Sequence, residues 1–383
     1  MAPPLVPLFD MQLEEGDLRA VEEVLRSGWL TMGPRTEAFE AAFAQHLGAR
    51  YAVATSSCTA ALHLAYLAAG VGPGDEVIVP AYTFVATANA VRYCGGTPVL
   101  ADVKGQHDLS LDPEDAERRI TPRTKAVCLV HYAGYAGAVL ELDALCRERG
   151  LALIEDAAHS PSASAEGDPR RLGTFGLAGA FSFFSNKVLS CGEGGLLATD
   201  DDEVAAMARS LRSHGMTSGT WDRHRGHSLG YDVNGLGFNY RMDEPRAALL
   251  TARLPRLERD IAARRERVHR YRRLLSGAPG LSIPYTDEEV ERSSCYAMPV
   301  MLDEPTLQAP LRELMLSRWG VQTSLLYPSI SEFSAYADLP SRSLPRSELA
   351  ARTELTLPLY PQLGDADQCL VVTALSEGLA ELA

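Results

Sequence analysis

The sequence predicts an α/β fold: a mostly parallel sheet with helices on both faces, followed by a smaller α+β domain. Three observations predict it. Short apolar runs alternate with helical stretches about every 25–30 residues through the first part of the chain. Most of the polar, chemically useful residues fall where those runs end, which is where open parallel sheets bind ligands. From about residue 251 the pattern gives way to an arginine-rich stretch and a shorter α+β segment. A chain of 383 residues is too long for one simple core, so residues 1–250 are assigned to a large domain and 251–383 to a smaller C-terminal one.

The elements follow in order. Residues 14–26 read as an amphipathic helix, and residues 36–47 as another with Phe39, Phe43 and Leu47 at helical spacing. ARYAVATSSCTAALHLAYLAAG reads as strand, tight polar turn and helix, and DEVIVPAYTFVATANAVRYCG repeats that plan. TPVLADV and TKAVCLVHYAG continue it, and LALIEDAAHS and GAFSFFSNK add two more short apolar runs. Residues 251–273 carry nine arginines against three acidic residues. One reading is a basic patch for phosphate. The plainer one, adopted here, is a long helix with a solvated polar face and a buried stripe of Leu254, Leu257, Ile261, Val268, Tyr271 and Leu275. CYAMPVML reads as a strand, residues near 306–318 as a helix, and a short helix closes the chain.

Composition removes some function classes. Hydrophobic content of 46% with 22% charged residues is ordinary for a soluble globular protein. A net charge of −14 argues against a nucleic-acid partner, which is bound through a Lys/Arg surplus, but leaves anionic small molecules open. The N-terminal MAPPLVPLFDMQLEEGD has neither the basic nor the apolar region of a signal peptide. No apolar run reaches the ~18 residues of a spanning helix. Seven dispersed cysteines without a C-x-x-C pair suit a reducing cytoplasm, and no metal site is expected.

Two residues carry the chemistry. In AFSFFSNKVLSCGEGG (180–195) an aromatic strand pattern delivers Lys187 into a turn, and glycines follow. In LALIEDAAHS (151–160) a second apolar run ends on Asp156. A lysine and an aspartate at the ends of two strands are the poles of a pyridoxal phosphate site: the amine binds the cofactor covalently and the carboxylate keeps the pyridine nitrogen protonated. Each residue also has a plain reading, Lys187 on the surface and Asp156 as a helix cap. His159 lies close enough in sequence to reach the same ligand, or to serve only as a helix N-terminal hydrogen bonder. TSSCTAALHL (55–64) places small hydroxyl residues at a helix start, which can bind phosphate or simply cap the helix. Ser182 could add a hydroxyl to the same phosphate. Phe84 in PAYTF could stack on the cofactor ring or belong to the core.

Together these pieces resemble the nucleotide-sugar aminotransferases of the DegT/DnrJ/EryC1/StrS group, fold type I pyridoxal phosphate enzymes. The resemblance runs from SGWLTMGP (27–34) through SSCTAALHL, GDEVIVPAYTFVATANAV, ITPRTKAVCLVHYAG, IEDAAHS, FSFFSNKVLSCGEGG and RSHG to GFNYRMDE. It implies a mostly parallel seven-stranded sheet sandwiched by helices. It implies that Lys187 carries the cofactor and shuttles the proton, that Asp156 pairs with the pyridine nitrogen, and that His159 sits near the cofactor hydroxyl. Phe84 matches the stacking aromatic, and Cys58 and Thr59 match the turn that holds the phosphate, with Ser182 beside it. Asn239 matches a residue that reaches the phosphate from a partner subunit, which implies a homodimer with shared active sites. Thr31 and Tyr327 would lie near the sugar.

The resemblance also implies glutamate as amino donor and a nucleotide-linked keto sugar as acceptor, on a deoxysugar route to an antibiotic or a cell-surface glycan. VHYAG (130–134) looks like the version found in enzymes that aminate C4 of a 4-keto-6-deoxy sugar; relatives acting at C3 more often show H-L-Y-G-Q. Cys58 stands where glycine or alanine is more usual, and LLYPSISEF departs from a histidine-containing stretch of many relatives. A sister group of sugar dehydratases carries histidine in place of the lysine, so Lys187 favours transamination. Amination at C3, a pyridoxal phosphate lyase and a catalytically silent relative are the alternatives.

Overall fold

The computed structural model describes residues 5–219, 221, 224, 226, 230–340 and 343–382. Helix α1 (Glu15–Ser27) begins at a capping box between Glu14 and Asp17 and stops at Gly28, which takes the left-handed conformation. Helix α2 (Pro34–Leu47) has proline in its first turn and no local side-chain cap. The cap comes from Glu244, 211 positions from Gly33. Its buried carboxylate accepts from the amides of Gly33 (2.8 Å), Arg35 (2.8 Å) and Thr36 (2.9 Å) and from the Thr36 hydroxyl (2.7 Å). The Glu244 amide in turn donates to the Leu30 carbonyl, so the SGWLTMGP and GFNYRMDE segments are tied together.

The strands of the large part are β1 (Tyr51–Thr55), β2 (Glu76–Pro80), β3 (Thr97–Ala101), the hairpin β4 (Val103–Gly105) and β5 (Asp108–Leu111), β6 (Thr124–Val130), β7 (Ala152–Asp156), β8 (Ala178–Ser182) and β9 (Gly195–Thr199). Seven of them form one sheet in the order β1-β9-β8-β7-β6-β2-β3. Pairings from β8 through β3 are parallel, whereas β9 runs antiparallel to both β8 and β1. The reason is the connection: a parallel return needs a crossover, usually a helix, and residues 183–194 form a turn instead. Helix α3 (Cys58–Ala68) follows β1 and helix α4 (Ala86–Tyr93) follows β2.

Alternate strand residues enter cores on opposite faces of this sheet. Val53, Val77, Val79, Ala126, Cys128 and Ile154 pack with α3 and α4 on one face. Ile78, Val127, Leu129 and Leu153 enter a core on the other face with Leu142 and Phe175. The same alternation sends Asp156 to the α3 side and Glu155 away from it. Glu155 accepts from the amides of Gly173 (2.7 Å), Phe175 (2.6 Å) and Gly176 (3.1 Å), and His131 Nε2 lies 2.9 Å from it.

The smaller part holds an antiparallel sheet, β10 (Leu281–Ser282), β11 (Met298–Leu302) and β12 (Glu354–Leu357), in the order β10-β11-β12. The arginine-rich stretch is a helix over Leu257–Leu274 with Leu257, Ile261, Val268 and Tyr271 buried; Leu275 just beyond it is buried and Leu254 before it is half-buried. Its arginines find partners within the chain: Arg256 with Asp17, Arg259 with Glu14, Arg272 with Asp287, and Arg265 with the Ser293 carbonyl. The preceding helix, Glu244–Arg253, runs unbroken through residues 250 and 251.

The final helix is not short. It spans Asp365–Leu382, 18 residues, and passes through Gly378. A Cβ at Gly378 would stand 2.7 Å from Leu311 Cδ1, so the glycine lets this helix close against the helix Gln308–Trp319. Tertiary packing outweighs the propensity cost of the glycine. Among the described residues no helix is long and apolar enough to cross a membrane.

Candidate active site

A cavity of about 450 Å³ opens at the C-terminal ends of β7 and β8, roofed by residues of the smaller part. Lys187 enters it from a turn: its amide donates to the Phe184 carbonyl at 2.9 Å, and the chain returns through Cys191, whose amide donates to the Phe183 carbonyl at 2.9 Å. Gly192 takes φ +93° in that return. Asp156 ends β7 and faces the same cavity. Thr87 Oγ1 donates to it at 2.8 Å and the Ala158 amide at 3.2 Å. Burial holds this carboxyl above the usual carboxylate range, against those two donors and the nearby Lys187.

The helix α3 starts at the cavity edge. Ser57 caps it, its hydroxyl accepting from the Ala60 amide at 3.1 Å. Cys58 and Thr59 both line the cavity, and first-turn amides have no partner within a helix. Gly195 of β9 lies so close beneath that a Cβ there would collide with the Ser57–Cys58 peptide. The Cys58 thiol is 3.9 Å from Asp156 Oδ1, and burial pushes its pKa well up, so it stays neutral. The Cys191 thiol is pushed up to about 12, chiefly by burial. Neither cysteine is poised as a thiolate.

His159 is buried, and burial pushes its ring well below the ordinary histidine range, with Lys187 and His131 adding to the effect. Its Nε2 lies 2.9 Å from the Tyr327 hydroxyl, whereas its Nδ1 is buried without a partner. Asn186 Oδ1 is likewise buried and unpaired. Ser182 lines the cavity, and Phe84 lines it at the mouth, 57% exposed.

The structure therefore brings Lys187, Asp156, Cys58, Thr59, Phe84, His159, Ser182 and Tyr327 to one cavity. Thr31 and Asn239 do not line it; both are exposed. Of VHYAG, only Val130 reaches the cavity: His131 turns to Glu155 and to the Ala136 carbonyl (3.2 Å), and Tyr132 packs on Tyr82. Sequence reasoning missed Tyr296, Thr87, Asn186 and Glu354. Thr87 carried a signal, since it lies on the helix that follows β2, one turn after Thr83 in the connecting segment. Tyr296 and Glu354 come from the distant smaller part and carried none.

The donors suit a phosphorylated aromatic aldehyde: free helix amides and Ser182 for the phosphate, buried Asp156 for a protonated ring nitrogen, Lys187 for the aldehyde, and the orphaned His159 Nδ1 for a ring substituent. Among the described residues no group of three or more His, Cys, Asp or Glu could hold a metal ion.

Comparisons with known proteins agree in fold and in chemistry. The model of the DegT/DnrJ/EryC1/StrS aminotransferase family matches residues 11–376. The spore coat polysaccharide biosynthesis protein SpsC of Bacillus subtilis is 36% identical in a 372-residue alignment that covers 94% of this chain and 94% of that one. The structure of the aminotransferase TlmJ from Streptoalloteichus hindustanus is 37% identical with a TM-score of 0.90, over 99% of this chain and 100% of that one. The structure of NtdA from Bacillus subtilis, with its bound cofactor PMP, is 29% identical with a TM-score of 0.84, over 96% of this chain and 82% of that one.

Proposed function

The chain belongs to the DegT/DnrJ/EryC1/StrS aminotransferase family, and from that premise we propose that it carries an amino group from L-glutamate to the C4 carbonyl of a nucleotide-linked, thymidine diphosphate type, 4-keto-6-deoxy sugar. The observation that carries the reading is the convergence of Lys187, Asp156 and the start of α3 on one cavity. Pyridoxal 5′-phosphate, when bound there, stores the amino group and accepts the electron pair released at the donor carbon.

This chain's residues do the rest. Cys58 and Thr59 amides with Ser182 anchor the phosphate. Asp156 holds a proton on the ring nitrogen through a buried, charge-assisted hydrogen bond. His159, kept neutral by burial, offers Nδ1 to the cofactor while Tyr327 fixes its other nitrogen. Phe84, at the mouth, would cover a face of the cofactor ring. Lys187 Nζ, once free, would move a proton from the donor's Cα to the cofactor carbon that bears the amino group, and in the acceptor half from that carbon to the sugar carbon being aminated. The preformed geometry keeps that transfer short.

The sugar acceptor is supported by the polysaccharide role named for SpsC and by the hydroxyl-bearing Tyr327, Ser324 and Thr356 that line the cavity together with Lys187. The choice of C4 is supported by the VHYAG resemblance alone. We place the division between the two domains at residue 250, and a cytoplasmic setting fits the unpaired cysteines. A homodimer with shared sites is supported by Asn239 and Thr31. Their segments are tied through Glu244, they are exposed, and Leu30 and Leu236 beside them are exposed apolar residues.

The test is a panel of thymidine- and uridine-linked 3-keto and 4-keto sugars with glutamate, with the product assigned by NMR. Amination at C4 is expected. Amination at C3 would overturn the regiochemistry, and no amino transfer to any member of the panel would overturn the acceptor class.

A further inference from the structure

The face of one aromatic ring meets the reacting amine. Lys187 Nζ lies 4.3 Å from the centroid of the Tyr296 ring, within the range of an ammonium–π contact. The same ring lies nearly parallel to His159, with centroids 3.9 Å apart and planes 16° apart. Tyr296 belongs to the smaller part, 109 positions beyond Lys187.

The backbone around it is unusual. Cys295 sits at φ +46° and Ala133 at φ +53°, a left-handed region that side chains seldom adopt. These two residues flank the contact: the Tyr296 amide donates to the Ala133 carbonyl at 2.9 Å. The Ser293 hydroxyl accepts from the Cys295 amide at 2.9 Å, and the Ser294 amide donates to the Gly134 carbonyl at 3.1 Å. A Cβ at Gly134 would come 3.2 Å from the Cys295 amide nitrogen, so the two segments need that glycine to close. On the far side Arg264 reaches the Tyr296 carbonyl at 3.4 Å and the Leu359 carbonyl at 3.1 Å. Two strained residues, a close-approach glycine and a buried guanidinium all fix the backbone that carries this ring. Strain of this kind persists only where the surroundings over-determine it, and it collects at functional sites.

We propose that Tyr296 is the positioning residue of Lys187: its π face holds the free, protonated amine in the cavity during the interval when the lysine carries the transferred proton. The phenol oxygen is not required, since the contact is with the ring face. The proposal rests on the reading of Lys187 as the proton-moving amine.

Three substitutions test it. Tyr296→Leu removes the ring, Tyr296→Met does so with a more adaptable side chain, and Tyr296→Phe keeps the ring without the hydroxyl. In steady-state transamination, Leu and Met are expected to lower kcat about thirty-fold, the size of a desolvated cation–π contact, with KM for both substrates within about two-fold. Phe should stay within about two-fold of the wild type. In the cofactor-free protein, the rate of Lys187 labelling by trinitrobenzenesulfonate, followed by peptide mass spectrometry, should rise at least about three-fold in Leu and Met and not in Phe. Circular dichroism selects whichever of Leu or Met is folded. Wild-type kcat and labelling in a folded Leu or Met variant would overturn the proposal, and so would a Phe variant as slow as Leu. If Lys187→Ala itself turned over, the reading of the site would fail instead, so the two failures are distinguishable.

Discussion

One wall of the cavity comes from the ends of β7 and β8 and the start of α3; the other comes from Tyr296, the loop 324–327 and β12. In the first wall the functional residues sit at a strand end or in the turn just after it, and short-range bonds help to hold them: Ser57 on the Ala60 amide, Asp156 on the Ala158 amide, the Lys187 amide on Phe184. The second wall is held from a distance. Glu354, fully buried on β12, accepts from the Leu326 amide at 2.9 Å and from Tyr82 Oη at 3.4 Å, and so ties the loop beside Tyr327 to the large part. Its carboxyl is pushed up to about 7, chiefly by burial. The difference teaches that the chemistry is built into the sheet, while the shape offered to the acceptor depends on packing across the chain.

The sharpest way to break this comparison is Lys187→Ala. Removing the amine should lower steady-state transamination by at least about 10³-fold while the protein still folds, because this amine is the group proposed both to bind the cofactor and to move that proton. Turnover near the wild-type rate would leave the two walls with no chemical distinction.

Glu354→Gln probes the second wall through pH. A carboxyl raised in the folded protein binds more protons folded than unfolded, so its stabilising contribution is full below its ordinary value of 4.5 and is lost as pH rises through about 7. That interval is worth roughly 3 kcal/mol as an upper figure, at about 1.4 kcal/mol per pH unit. Denaturant unfolding between those pH values should show a flatter stability profile for the glutamine variant than for the wild type. Parallel profiles would mean that Glu354 is not the buried acid that anchors the loop.

Gly195→Ala tests how tightly the first wall is packed. The new methyl collides with the Ser57–Cys58 peptide and must push the start of α3 away from β9. We expect about 1–3 kcal/mol of destabilisation and a cofactor dissociation constant raised about ten-fold. Unchanged melting and cofactor titration would show that the turn is looser than its geometry. Smallest of all should be Cys58→Ala: the role assigned to this position is its backbone amide, so kcat/KM is expected within about two-fold of the wild type. A ten-fold loss would give the thiol a role in the first wall.

These contrasts explain what could be read in advance. Lys187, Asp156, Cys58, Thr59, Ser182 and His159 were legible because each sits at the end of a short apolar run, and strand periodicity alone puts such residues at one edge of a parallel sheet. The choice of Asp156 over its neighbour Glu155 is also a matter of period two. Thr31 and Asn239 were legible only through resemblance, and the single chain leaves both outside the cavity.

By itself, then, the sequence determined the alternation of strands and helices, the arginine helix with its buried stripe, and the strand-end residues of the first wall, because those depend on local periodicity and on short-range capping. Only the tertiary structure decided the antiparallel β9, the distant Glu244 cap on α2, the length of the last helix and the ring of Tyr296 over Lys187. Those rest on contacts between residues far apart in the chain, where burial, close approach at glycine and strained backbone outweigh local propensity.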